Sequence, residues 1–144
     1  MRISYYTELG AYSSGGTHSV VDASIPSGAQ GAYRIRNLEW TTYGVFTNKV
    51  PVGPYRGYGQ HATAYLVERV MDLIAGKLDM DPAEVRRRNF IPVDAFPYMN
   101  PMGREFDNGN YEAALDRALE LAGYEDLREE QKRLRKQGIL MGIG

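Results

Sequence analysis

TTYGVFTNKVPVGPYRGYGQHATAYLVERVMDLIAGK, residues 41–77, contains the point at which this chain changes its periodicity. On the upstream side apolar residues alternate with polar ones. Tyr33 and Ile35 alternate with arginines, Leu38 and Trp40 face together, and then Tyr43 and Val45 do. The phase slips at Asn37 and again near Gly44, which predicts short strands joined by bends or bulges in place of a long regular hairpin. After Gly59 the period becomes helical. Ala64, Val67, Val70, Met71 and Ile74 recur at spacings of three and four, so a helix from about Gln60 to Lys77 should bury one face, with Leu73 and Tyr65 widening the stripe. Short strands and loops followed by helices predict an α+β fold.

Downstream, the helical signals continue. Asp81-Pro82-Ala83-Glu84 offers a capping aspartate, a proline at the first helical position and a glutamate placed to complete a capping box, so a short helix through Asn89 is expected. Pro92, Pro97 and Pro101 impose an extended connection. Asp107-Asn108-Gly109-Asn110 reads as a turn, Tyr111 to Ala122 as a third helix closed by Gly123, and the charged Leu127–Gln137 segment as a fourth, mostly solvated one. Upstream, Ile3 to Tyr12 is short and tyrosine-rich, and Ser13–Thr17 reads as a loop. The C-terminal run Gly138–Gly144 is apolar and resembles the beginning of a buried strand. The N-terminal Tyr5, Tyr6 and Leu9 read as a strand that lacks its sheet. The expectation is one partial domain over 1–144, with a β/loop-rich part (1–59) and a helical part (60–144), belonging to something larger.

Bulk properties exclude more than they assert. The 144 residues carry a net charge of −1, without the footprint of a nucleic-acid binder. No apolar run has the length of a membrane span, and the N-terminus lacks a signal-peptide apolar region, so a cytoplasmic location is expected. With no cysteine, the chain has no thiolate chemistry, disulfide or cysteine-held iron–sulfur cluster of its own. His18 and His61 lie in unrelated segments, so no histidine metal site is expected.

The loop Gly53-Pro54-Tyr55-Arg56-Gly57-Tyr58-Gly59 stands between the two regimes. Gly57 and Gly59 permit positive φ and close approach of a ligand to the backbone. The following helix start offers unpaired N–H groups, Arg56 adds a fixed cation suited to an oxyanion, and Tyr55 and Tyr58 can flank a planar molecule. Such a loop suits an anionic or metal-oxo ligand with an aromatic neighbour. On pattern alone it is equally a tight turn, with Tyr55 and Tyr58 as packing residues and Arg56 as a surface or interdomain ion-pair partner. It is neither a dinucleotide fingerprint, for want of the third glycine, nor a P-loop, for want of Gly-Lys-Ser/Thr.

The ordered motifs around this loop carry a resemblance. Val45 to Gly59 is similar to the V-x-T-N-x-x-P-x-G-x-[YF]-R-G-[FY]-G segment of molybdenum hydroxylase large subunits, the xanthine dehydrogenase/aldehyde oxidase family. Glu68–Ala75 resembles that family's E-x-x-M-D-x-I-A helix, Asp81–Asn89 its D-P-x-E-x-R-x-x-N element, Gly10-Ala11-Tyr12 its G-A-Y, and Tyr33–Asn37 a Y-x-I-P-N-like strand. The order holds over most of the chain, and several motifs in one order are far more specific than any alone.

The resemblance implies part of a larger domain that binds a molybdenum–molybdopterin cofactor, in the cytosine dinucleotide form usual for bacteria. It implies hydroxylation of an aldehyde or aromatic heterocycle with oxygen from water, and iron–sulfur and FAD subunits as partners. By position, Arg56, Gly57, Gly59 and Gln60 would face the cofactor, and Tyr55 and Tyr58 the substrate. Gly57 occupies the position of the cysteine in copper-containing carbon monoxide dehydrogenases, which argues against an oxidiser of that type. Gln60-His61-Ala62 departs from the usual continuation of the loop, and helix capping or surface polarity is the favoured reading of Gln60 and His61. The family's catalytic glutamate and its G-G-x-F-G segment belong to other parts of the large subunit. Glu8, Glu68 and Glu84 are poor substitutes, so no catalytic residue is expected in these 144 residues and the isolated chain is expected to be inactive. A stand-alone phosphate- or nucleotide-binding module and a protein-interaction module are the competing readings.

Overall fold

A computed structural model describes residues 1–13, 15–16 and 19–144. Ser14, Thr17 and His18, with part of the expected Ser13–Thr17 loop and one histidine, lie outside the described residues. The contacts divide the chain into two units, Met1–Gly109 and Asn110–Gly144.

In the first unit, strand β1 (Arg2–Gly10) pairs in parallel with β2 (Glu39–Phe46), from Arg2 against Glu39 to Gly10 against Phe46, with an irregularity between Glu8 and Gly10. A parallel pair needs a crossover. Here a π-helical turn (Ser19–Ser24) runs directly into the short α1 (Ile25–Gly28). The phase slip at Gly44 has a packing reason, because a side chain there would lie 2.9 Å from Leu9, whose own side chain is buried. Gly10 takes a φ of 80° and its missing Cβ would stand 2.3 Å from the Pro51 Cα, so backbone packs directly on backbone. Ala11 N–H to Lys49 C=O (2.9 Å) and Thr47 N–H to Gly10 C=O (3.0 Å) then lead the chain along the end of β1 into the 53–59 loop.

Helix α2 spans Gln60–Leu78, as the periodicity predicts, but its buried row is narrower. Thr63, Val67, Met71 and Ala75 are buried, every fourth residue. Tyr65 (76% exposed) and Leu73 (57%) do not widen the stripe. The helix packs against α1 and against α3 (Pro82–Asn89), so only the row facing them is covered. Val67, Met71, Ala75 and Val85 enclose Tyr33, whose ring stacks on Phe90 with centroids 5.6 Å apart. Tyr33 therefore belongs to an antiparallel bridge with Phe90 and lies outside the strand that its alternation suggested.

The Asp81 cap forms as expected, its carboxylate accepting from Ala83 N–H (2.8 Å). The Glu84 side chain, expected to close the capping box, pairs with Arg88 at 2.6 Å. A more selective network joins three separated segments. The Tyr33 hydroxyl donates to Glu68 of α2 (2.8 Å), Arg86 of α3 donates to the same carboxylate (2.7 Å), and Arg86 also reaches Asp72 (3.0 Å). Burial, and then the bond to Glu68, push the Tyr33 phenol above its ordinary value.

The proline-rich connection is more structured than an extended linker. It holds a 3₁₀ turn (Val93–Ala95) and a minimal antiparallel pair, β3 (Tyr98–Met99) with β4 (Glu105–Phe106). Buried Asn100 closes that pair by accepting from Met102 and Arg104 N–H and donating to the Ser27 carbonyl (3.0 Å).

In the second unit, Asn110 caps α4 (Tyr111–Ala122), and Gly123, at φ 62°, links it to α5 (Tyr124–Arg135). Helix α5 starts three residues before the expected Leu127, with Glu125 and Asp126 in its first turn, where carboxylates suit the helix dipole. The run from Gly138 to Gly144 forms no strand, and Leu140 is 83% exposed. Among the described residues no helix is long and apolar enough to cross a membrane.

Candidate functional site

The loop ahead of α2 is built from consecutive left-handed residues. Gly57, Tyr58 and Gly59 have φ of 92°, 48° and 86°. Two of these positions suit glycine, but a tyrosine at positive φ is uncommon and strained. The turn is held by Tyr58 N–H to Tyr55 C=O (3.1 Å) and Gln60 N–H to Gly57 C=O (2.8 Å), and the Ser24 hydroxyl donates to the Tyr58 carbonyl. Gly59 is the residue at the helix start and provides no side-chain cap; the Gln60 and Ala62 N–H groups of the first turn donate to the Gly57 and Gly59 carbonyls (2.8 and 3.0 Å).

The loop opens on a cavity of about 330 Å³. Tyr55, Arg56 and Gly59 line it, so the structure brings together three of the six residues singled out in the sequence. Gly57, Tyr58 and Gln60 are not among its lining. Gly57 lies instead under His61, whose Nδ1 is 3.2 Å from where a Cβ on Gly57 would be, and the Gln60 side chain faces Gly28. Tyr55 is 82% exposed and Tyr58 41%. Among the described residues Arg56 has no carboxylate partner.

The opposite wall comes from β1, with Tyr5, Thr7 and Glu8. Sequence reasoning set Glu8 aside and did not connect Tyr5 or Thr7 with the loop, because the parallel pairing that brings them there has no local signal. Glu8 is paired with Lys49 at 2.8 Å, whereas Arg56 has no ion-pair partner among the described residues. His61 also lines the cavity. No group of three His, Asp or Glu side chains able to hold a metal ion occurs among the described residues. The arrangement suits an anionic ligand that approaches backbone closely and lies beside aromatic rings.

Residues 1–90 match the family described as the molybdopterin cofactor-binding domain. The carbon monoxide dehydrogenase large chain of Hydrogenophaga pseudoflava is 36% identical over all of this chain, which corresponds to 19% of that protein. The nicotine 6-hydroxylase large subunit of Paenarthrobacter nicotinovorans is 36% identical over 79% of this chain and 14% of its own length. Quinoline 2-oxidoreductase from Pseudomonas putida 86 superimposes with a TM-score of 0.85 at 30% identity, covering 95% of this chain and 18% of that one. The chain thus spans about a fifth of the length of the curated relatives it matches over its whole length. Family match, relatives and fold agree, and the chain belongs to the molybdopterin cofactor-binding domain family of molybdenum hydroxylase large subunits.

Proposed function

We propose that this chain forms one wall of the cofactor and substrate site of a cytoplasmic molybdenum hydroxylase, acting on an aldehyde or aromatic heterocycle. The observation that carries the reading is the loop: Arg56, without a carboxylate partner among the described residues, and Gly59, at positive φ, open onto the cavity in a chain of this family. These residues fit the cofactor, because an anionic group needs close backbone approach and a free cation, and both are present. When bound, the cofactor supplies the redox chemistry that places water-derived oxygen on carbon. The protein's part is to bind and orient. Arg56 holds negative charge, Gly57, Gly59 and Gln60 flank the cofactor, and Tyr55 and Tyr58 orient a flat substrate.

The cofactor is proposed to take the cytosine dinucleotide form, and the remainder of the large subunit with iron–sulfur and FAD subunits to be the partners. On this reading residues 1–144 are part of one larger domain. Copper-dependent carbon monoxide oxidation is not proposed: a cysteine at position 57 would have to adopt a φ of 92° and push against His61. The test is co-expression with the remaining segments and subunits. The assembled complex should carry about one molybdenum per chain, and Arg56→Ala should lower that occupancy at least severalfold. Unchanged occupancy would reject the assignment of Arg56.

A further inference from the structure

Ser24, a helix-capping residue by type, ends the π-helical turn that runs directly into α1 and has helical dihedrals itself (φ −68°, ψ −44°). Its side chain nevertheless makes no capping hydrogen bond. It donates instead to the carbonyl of Tyr58, 34 residues away, which is the one non-glycine in the run of three left-handed residues. Ser24 is itself held from several sides. Its carbonyl accepts from the Ser27 hydroxyl (3.0 Å), the Ser27 carbonyl accepts from buried Asn100 (3.0 Å), and Gly28 faces Thr63 of α2 so closely that an added Cβ would lie 3.0 Å from its hydroxyl. The donor thus sits on a braced segment while its acceptor sits on a strained one.

We propose that Ser24 is the positioning residue for Tyr58. Its hydroxyl holds the Tyr58 peptide in the left-handed conformation, so the 57–59 turn and the direction of the Tyr58 ring are set before any ligand arrives. A tyrosine does not hold positive φ by itself, whereas its glycine neighbours do. One carbonyl fixed from a braced segment supplies the missing constraint. The consequence for substrate orientation rests on the reading of the loop given above; the constraint on the backbone does not.

The test is amide hydrogen exchange on the ligand-free chain. In Ser24→Ala the Tyr58 and Gln60 amides, which close the turn, should exchange about fivefold or more faster, the effect of losing one hydrogen bond from a local opening. Amides in the middle of α2 should keep their rates. Ser24→Thr, which retains the hydroxyl, should restore slow exchange. In a Tyr58→Gly background the Ser24→Ala effect should shrink, since glycine accepts the conformation unaided. If Ser24→Ala does not fold, Ser24→Cys, which keeps the volume and weakens the donor, is read in its place. Equal rates in Ser24→Ala and the parent, failure of Ser24→Thr to rescue, or acceleration spread evenly over α2 would each overturn the proposal. Because no cofactor is present in this measurement, a failed molybdenum assay on Arg56→Ala leaves it standing, and the converse also holds.

Discussion

Tyr33→Phe is the sharpest perturbation of the first unit, because it removes one oxygen and leaves the packed ring. Tyr33 is 1% exposed and donates to both oxygens of Glu68, at 2.8 and 2.9 Å. A hydrogen bond to a charged group contributes about 1.5–3 kcal/mol. The Glu68 side chain is 45% exposed and keeps Arg86, so water re-solvates it and the low end applies, about 1.5 kcal/mol. For a unit of this size that is a drop of roughly 6 °C in Tm. The single tryptophan, Trp40, lies in the first unit and reports its unfolding by fluorescence.

The pH dependence makes the prediction more specific. The Tyr33 phenol is raised in the folded state, first by burial and then by Glu68, so the folded protein keeps a proton that the unfolded chain loses above the ordinary phenol value of about 10. The unfolded state then binds fewer protons, and stability falls as pH rises. Its slope reaches about 1.4 kcal/mol per pH unit just above that value. Tyr33→Phe lacks this component. The stability gap between parent and variant should therefore be constant from pH 6 to 9 and narrow by about 1 kcal/mol between pH 10 and 11. A constant gap through pH 11, or a gap below about 0.5 kcal/mol at pH 7, would refute the argument that the Tyr33–Glu68 bond is a stabilising, proton-linked contact.

Gly57→Ala should destabilise the chain by about 1–2 kcal/mol, measured by urea denaturation, since its φ of 92° is unfavourable for alanine and the methyl meets His61; a neutral change would mean that the loop relaxes. The 144-residue chain alone should retain no molybdenum after desalting, and stoichiometric metal by elemental analysis would contradict this. Tyr6 and Tyr43 stack at 4.6 Å on an exposed sheet face beside exposed Val45, and Phe46 follows at the end of β2, so the chain should self-associate at micromolar concentrations. Tyr6→Lys with Phe46→Lys should shift light scattering toward the monomer, and a parent already monomeric would show that this face does not self-pair.

Helices α2 to α5 were legible because their determinants are local. Asp81-Pro82 starts α3, Asn110 starts α4, Gly123 ends it, and apolar spacings of three and four mark α2. The loop was legible too, since the glycine–aromatic–arginine pattern and the motifs flanking it lie within one stretch of sequence, and the ordered motifs already identified the family that the comparisons bear out. Contacts between distant residues were not legible. Parallel pairing of β1 with β2 joins segments more than 30 residues apart and leaves no turn signature, so the wall of Tyr5, Thr7 and Glu8 opposite the loop had no marker. Tyr33 read as a strand residue because alternation records which side is buried, but not what it is buried against. Ser24 carried no reading, because the Tyr58 carbonyl that it meets lies 34 residues away. Local chemistry determined the elements and the loop that joins them. Tertiary structure decided which side chains meet across the cavity, and that a serine hydroxyl from the crossover holds the strained tyrosine, because both depend on packing between segments that the chain separates.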